Sequence, residues 1–170
     1  MNSMSTRALA VSRPIIQGLT VLNLLYGLGI ALLLGASLVI PGWLGKALGV
    51  DLLSKYPLVP LGLRAIVVIG VIGAVIVHTI LRRLLAIVDT VRGGDPFIRE
   101  NVQRLDAIAW SVLGLEGLRL IVIAIAAAVW EPGRLDSFSF APWLAVLMLF
   151  VLSGVFAHGA RMRADLEGTV

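Results

Sequence analysis

Residues 58–104 read LVPLGLRAIVVIGVIGAVIVHTILRRLLAIVDTVRGGDPFIRENVQR, and the two parts of this stretch suit different solvents. Positions 58–81 are apolar except for Arg64, His78 and Thr79, over the ~20 residues that a helix needs to cross a ~30 Å hydrocarbon layer. Positions 82–104 then gather Arg82, Arg83, Arg92, Arg99 and Arg104 with Asp89, Asp95 and Glu100, in the only long charged segment of the chain. The chain therefore leaves lipid near Leu81 and must return to it after Arg104.

Three further runs have the length to span: 14–45, which carries no charge; 107–130, interrupted by Glu116 and Arg119; and 137–160. Of the 170 residues, 59% are hydrophobic and 14% are charged, against roughly 25% charged in soluble domains. Lipid offers the backbone no hydrogen-bond partners, so a spanning segment is a helix or part of a closed barrel. The continuous runs lack the period-two alternation of barrel strands. The expected fold is an all-α integral membrane protein, a four-transmembrane-helix bundle forming one domain over 1–170, with helices at about 14–41, 58–92, 96–130 and 138–163. The first run is too long for the 7–15-residue core of a secretory signal, so it is read as an uncleaved span.

Charge asymmetry orients the bundle. Arg7, Arg13, Arg82, Arg83, Arg92, Arg99, Arg104, Arg161 and Arg163 fall on one side, against Lys46, Lys55 and Arg134 on the other, which predicts both termini and the 82–104 segment in the cytoplasm (N-in/C-in). Trp43, Tyr56, Trp130 and Trp143 lie at the opposite ends of the spans, where amphipathic rings suit the headgroup layer; Trp110 marks the inner side. The net charge of +4 is accordingly matched first to anionic headgroups. No basic–aromatic interleaving points to direct nucleic-acid binding.

Within the charged segment, Leu81, Leu84, Leu85, Val88 and Val91 follow helical spacing while Arg82, Arg83, Asp89 and Arg92 take the other face, so the second helix should continue beyond the membrane. Gly93-Gly94 should stop it. Asp95 has the character of an N-cap with Pro96 at the first helical position, predicting a new helix from there into the third span. The expectation is a cytoplasmic helical hairpin extension between helices 2 and 3. It is read either as a solvated connector whose arginines hold phosphates or as a partner-docking surface, to which the apolar pair Phe97 and Ile98 adds weight. Small residues at Gly27, Ala31 and Gly35, at Gly70 and Ala74, and at Ser153 and Ala157 suggest close helix approach, and a homo-oligomer stays open.

The segment 93–110, GGDPFIRENVQRLDAIAW, and the tail 156–170, FAHGARMRADLEGTV, resemble the signatures of a bacterial family of four-helix inner-membrane proteins, domain of unknown function family 2975. In that family the loop reads Gly-x-Pro-Phe and then Asn-Val-x-Arg-Leu, matched by Gly94, Pro96, Phe97, Asn101, Val102, Arg104 and Leu105. The tail pattern is matched by Gly159, Asp165, Thr169 and Val170, with Met162 in place of a leucine. The resemblance implies a bacterial inner (cytoplasmic) membrane location and, because such proteins are often encoded beside a Cro/C1-type helix-turn-helix regulator, control of that cytoplasmic transcription regulator. It brings no catalytic residues.

Two site hypotheses follow. One is a partner-binding platform of Arg82, Arg83, Arg92, Asp95, Phe97, Arg99, Asn101 and Arg104 with Arg161 and Arg163 of the tail. Its plainer counterpart is that Arg161 and Arg163 only complement a helix dipole and mark the inner side. The other is an intramembrane polar group of Arg64, His78, Glu116 and Arg119. Glu116 and Arg119 are three residues apart on one helix face and should pair, because an unpaired charge at mid-bilayer costs on the order of 3 kcal/mol. One reading has Arg64 join them in a small transporter or channel; the other has the charges only hold helices two and three in register. A membrane-protective immunity protein is a third reading. Zinc-protease, hydrolase-elbow and phosphate-loop patterns are missing from the sequence, so no enzyme activity, cofactor or metal is expected.

Overall fold

The computed structural model describes residues 3–40, 43, 58–129 and 139–167, with side chains over 11–40, 43, 58–129 and 139–165. Four helices account for nearly all of them: α1 (Ser3–Val39), α2 (Val59–Arg92), α3 (Arg99–Val129) and α4 (Ala141–Glu167). Each contains a stretch long and apolar enough to cross a membrane. The first such stretch runs over Val11–Val39, and α1 starts well before the expected position 14. Pro14 therefore lies inside the helix rather than at its first position. A proline lacks one donor and costs a helix one hydrogen bond, but it does not oblige the helix to begin there.

α2 has 34 residues. At 1.5 Å per residue it is roughly 51 Å long, well beyond a ~30 Å hydrocarbon layer. Its last three turns therefore project past the apolar run, as the amphipathic pattern of 81–92 predicts. They stop in a Schellman turn: Gly94 N–H donates to Val91 O and Asp95 N–H to Thr90 O, both at 3.1 Å, while Gly94 takes φ +90°. A side chain at Gly94 would be strained there.

The start of α3 differs from expectation. Asp95 and Pro96 are not its cap and first residue; the helix begins at Arg99, and Ile98 O accepts from Asn101 N–H at 3.0 Å. Asp95 has already given its N–H to the turn that ends α2, and its carboxylate is drawn to Arg163. The connection is thus a few residues longer than the cap pattern suggests.

Contacts between helices run antiparallel and between sequence neighbours. α1 meets α2 where Gly27 faces the Ala74 methyl and Gly70 faces Ile30. α2 meets α3 through Ile87, Leu105 and Ile108, and at the far end where Gly62 abuts Val129. α3 meets α4 through the edge-on rings of Trp110 and Phe150, 5.5 Å apart, and through Ser153, whose hydroxyl donates to Val102 O at 3.4 Å. Among the described residues, no other helix pair brings Cα atoms within 8 Å. The bundle is therefore a folded row in which α1 and α4 each keep a broad apolar flank, exemplified by exposed Leu22, Leu25, Leu147 and Val151.

Two sequence patterns resolve differently in three dimensions. Of the small-residue stripes, Gly27, Gly70 and Ala74 are at helix contacts, but Gly35 faces open space. Close packing by small residues requires a partner opposite, which a stripe alone does not specify. The apolar stripe of the α2 extension splits: Leu81 and Val88 pack with Ile16 of α1, Val91 turns to the α3 side, and Leu84 stays exposed. Sandwiched between α1 and α3, α2 needs two apolar faces rather than one.

Candidate functional site: the arginine-rich end

The antiparallel row brings the first turns of α1, the 82–104 hairpin and the last turns of α4 to one end. Three fastenings join them. Arg13 Nε lies 3.4 Å from Asp89 Oδ1, tying α1 to the α2 extension. Arg163 of α4 forms an ion pair with Asp95 in the hairpin loop. Phe97 lies beside Phe156 with ring centroids 5.1 Å apart, and its edge is pressed against Gly159, where an added Cβ would come within 2.8 Å of the ring. A larger residue at 159 would displace Phe97, so a glycine there fits the close approach of ring to backbone.

Asn101 holds the hairpin from within. It is 0% exposed; its amide donates to Thr90 Oγ1 at 2.7 Å and to Pro96 O at 3.0 Å, and its oxygen accepts from Arg104 Nη1 at 2.8 Å. A buried amide with every group paired fixes a loop, because each lost partner leaves a desolvated polar atom. Arg83 crosses between the arms as well, donating to Ala107 O at 3.1 Å and lying 3.4 Å from Ser111 Oγ.

The predicted platform residues therefore divide. Asn101, Arg83 and Arg104 are engaged inside the hairpin, and Asp95, Arg163 and Phe97 join hairpin to tail. Asn101 in particular is turned inward, held by Thr90 and by Pro96 O of the loop. Arg82, Arg92, Arg99 and Arg161 stay exposed. Thr90, Asp89 and Arg13 were not among the candidates although they build the site; a threonine and an aspartate on an amphipathic helix carry no signal of which neighbour they will meet.

The intramembrane group also divides. Arg119 Nε donates to Glu116 Oε1 at 2.8 Å and Nη2 approaches the same oxygen at 2.7 Å, so the expected pair forms. Both residues belong to α3, and the pair does not bridge helices two and three. Glu116 is 5% exposed. Arg64 does not join it: Arg64 Nη2 donates to Ser37 O of α1 at 2.8 Å, filling a carbonyl near the end of that helix. His78 is half-buried, and its Nδ1 has no hydrogen-bond partner among the described residues. Asn23, a polar residue without a charge to flag it in an apolar run, donates to Ala74 O at 2.9 Å and links α1 to α2. Of the aromatic anchors, Tyr56 and Trp130 lie outside the described residues, as do Lys46, Lys55 and Arg134. No group of three or more His, Cys, Asp or Glu side chains is placed to hold a metal ion among the described residues.

The family model described as a protein of unknown function, DUF2975, matches residues 5–170. The chain belongs to the DUF2975 family. The loop and tail on which the resemblance rests are thus the two elements that Asp95, Arg163, Phe97 and Gly159 join in space. No curated protein and no solved structure gives a significant match.

Proposed function

We propose that this DUF2975 member is a non-enzymatic protein of the bacterial inner membrane, with both termini cytoplasmic, that sequesters or regulates a cytoplasmic partner. The observation that carries this reading is the fastening of the hairpin to the tail by Asp95–Arg163 and by Phe97 on Gly159. A solvated connector has no need of a buried asparagine, an inter-element ion pair and an aromatic seat. Built this way, the end offers Arg82, Arg92, Arg99 and Arg161 on a preformed surface, and a preformed surface loses less entropy on binding. The arginine excess on this end supports its assignment to the cytoplasm. A helix-turn-helix transcription regulator is the partner that the family resemblance suggests.

The test is co-purification of a helix-turn-helix protein, encoded beside this chain, with full-length tagged protein in detergent. Arg82→Glu with Arg92→Glu should release it while leaving membrane abundance unchanged. Retention by the charge-reversed variant sinks the docking surface, and failure of the wild type to bind sinks the partner. The transport reading has less support, since Arg64 turns to Ser37 and leaves Glu116 and Arg119 paired with each other.

A further inference from the structure

Phe97 separates two grooves at the arginine-rich end. On one side a groove of about 470 Å³ is lined by Ile98, Arg99, Val102, Ala157, Arg161 and Arg163. Its floor is apolar and its charged lining is three arginines without a carboxylate among them. Asp95 takes up Arg163, but Arg99 and Arg161 meet no counter-charge among the described residues. Glu100 and Asp165, the acidic neighbours in sequence, are exposed and do not line the groove. Arg99 is also the first residue of α3, whose leading N–H groups and positive dipole end lie at this groove.

On the other side of the ring, Val151, Val155, His158 and Met162 line a second, nearly wholly apolar groove along the outer flank of α4. From Val151 to Met162 is roughly 16 Å along a helix, long enough to lie beside much of one acyl chain. A cationic pocket joined at one aromatic ring to an apolar groove at the end of the fourth apolar run matches an amphiphile with an anionic head.

We infer that the two grooves form a binding site for an anionic phospholipid of the adjoining leaflet, its phosphate held by Arg99 and Arg161 and one acyl chain lying along Val151–Met162. A soluble phosphate would use only the first groove and an acidic peptide would have no use for the second. The site uses Arg99 and Arg161, two of the four exposed arginines of the proposed docking surface, and is tested apart from the Arg82 and Arg92 pair, so failure of either reading is distinguishable.

The experiment is native mass spectrometry of the full-length, delipidated protein with dioleoylphosphatidylglycerol added, compared with dioleoylphosphatidylcholine at the same concentration. The wild type should retain one phosphatidylglycerol in preference to phosphatidylcholine. Arg99→Gln with Arg161→Gln should weaken retention roughly tenfold or more, the worth of two arginine contacts at a membrane surface. Arg82→Gln with Arg92→Gln should bind as the wild type does, and Phe97→Ala, which merges the grooves, should lower retention with the arginines intact. Equal binding of both lipids, equal loss in both arginine pairs, or no loss in Arg99→Gln with Arg161→Gln overturns the site. Displacement of the lipid by equimolar glycerol 3-phosphate would make it a soluble-phosphate site, and retention of a polyglutamate peptide but not phosphatidylglycerol would make it a protein site; either result overturns the lipid.

Discussion

Two ion pairs in this molecule are alike in chemistry and opposite in purpose. Glu116–Arg119 lies within α3, three residues apart, with its carboxylate buried in the apolar layer. Asp95–Arg163 lies at the arginine-rich end, half-exposed, and joins segments separated by 68 positions. The first neutralises a charge that lipid would penalise and does nothing for the arrangement of helices. The second contributes little energy in a solvent-accessible setting but selects which part of the tail meets which part of the loop. Stability and shape are thus assigned to different pairs.

The two pairs should differ most when one partner is removed. Arg119→Ala leaves Glu116 unpaired in the apolar layer and should destabilise by about 3 kcal/mol, read as earlier thermal unfolding in detergent; replacing both residues together, Glu116→Gln with Arg119→Gln, should recover much of the loss. An equal loss in the double variant would mean that the pair holds something beyond itself. Asn101→Ala should cost about 2 kcal/mol, confined to the hairpin, because Pro96 O and Thr90 lose their buried donor. Hydrogen exchange of 87–105 should rise while α1 stays protected.

Gly159→Ala should cost about 1 kcal/mol, since its Cβ would crowd the Phe97 ring and force the loop outward. The expected readout is faster proteolysis near Gly93-Gly94 with unchanged cores. Asp95→Asn should have the smallest effect, below about 1 kcal/mol and erased by salt in the wild type as well. If it instead matched Arg119→Ala, the division between a stabilising and a shaping pair would fail.

How much of this was legible beforehand follows the range of each interaction. The four spans are local properties of hydropathy over about 20 residues, and the Glu116–Arg119 pair is a helical spacing of three, so both could be read directly. Gly93-Gly94 as a helix stop was equally local, and Gly94 takes the positive φ it suggested. The Asp95-Pro96 cap failed because a short pattern competed with a distant arginine and with the preceding turn for the same residue. The partner of Arg64 is not local: its place along the span is clear, but two helices flank α2, and its reach to Ser37 depends on which one its side faces.

Composition within a helix length is enough to read four helices long and apolar enough to cross a membrane, the charged continuation of the second, and the clustering of arginine between the second and third. Long-range packing is what sets the helices in a row, turns Asn101 inward, and joins loop to tail at Phe97, Gly159, Asp95 and Arg163. Those outcomes require choosing among neighbours that lie many residues apart. In an apolar solvent where every helix flank is equally greasy, that choice falls to small-residue contacts and a few polar groups, whose partners no local pattern names.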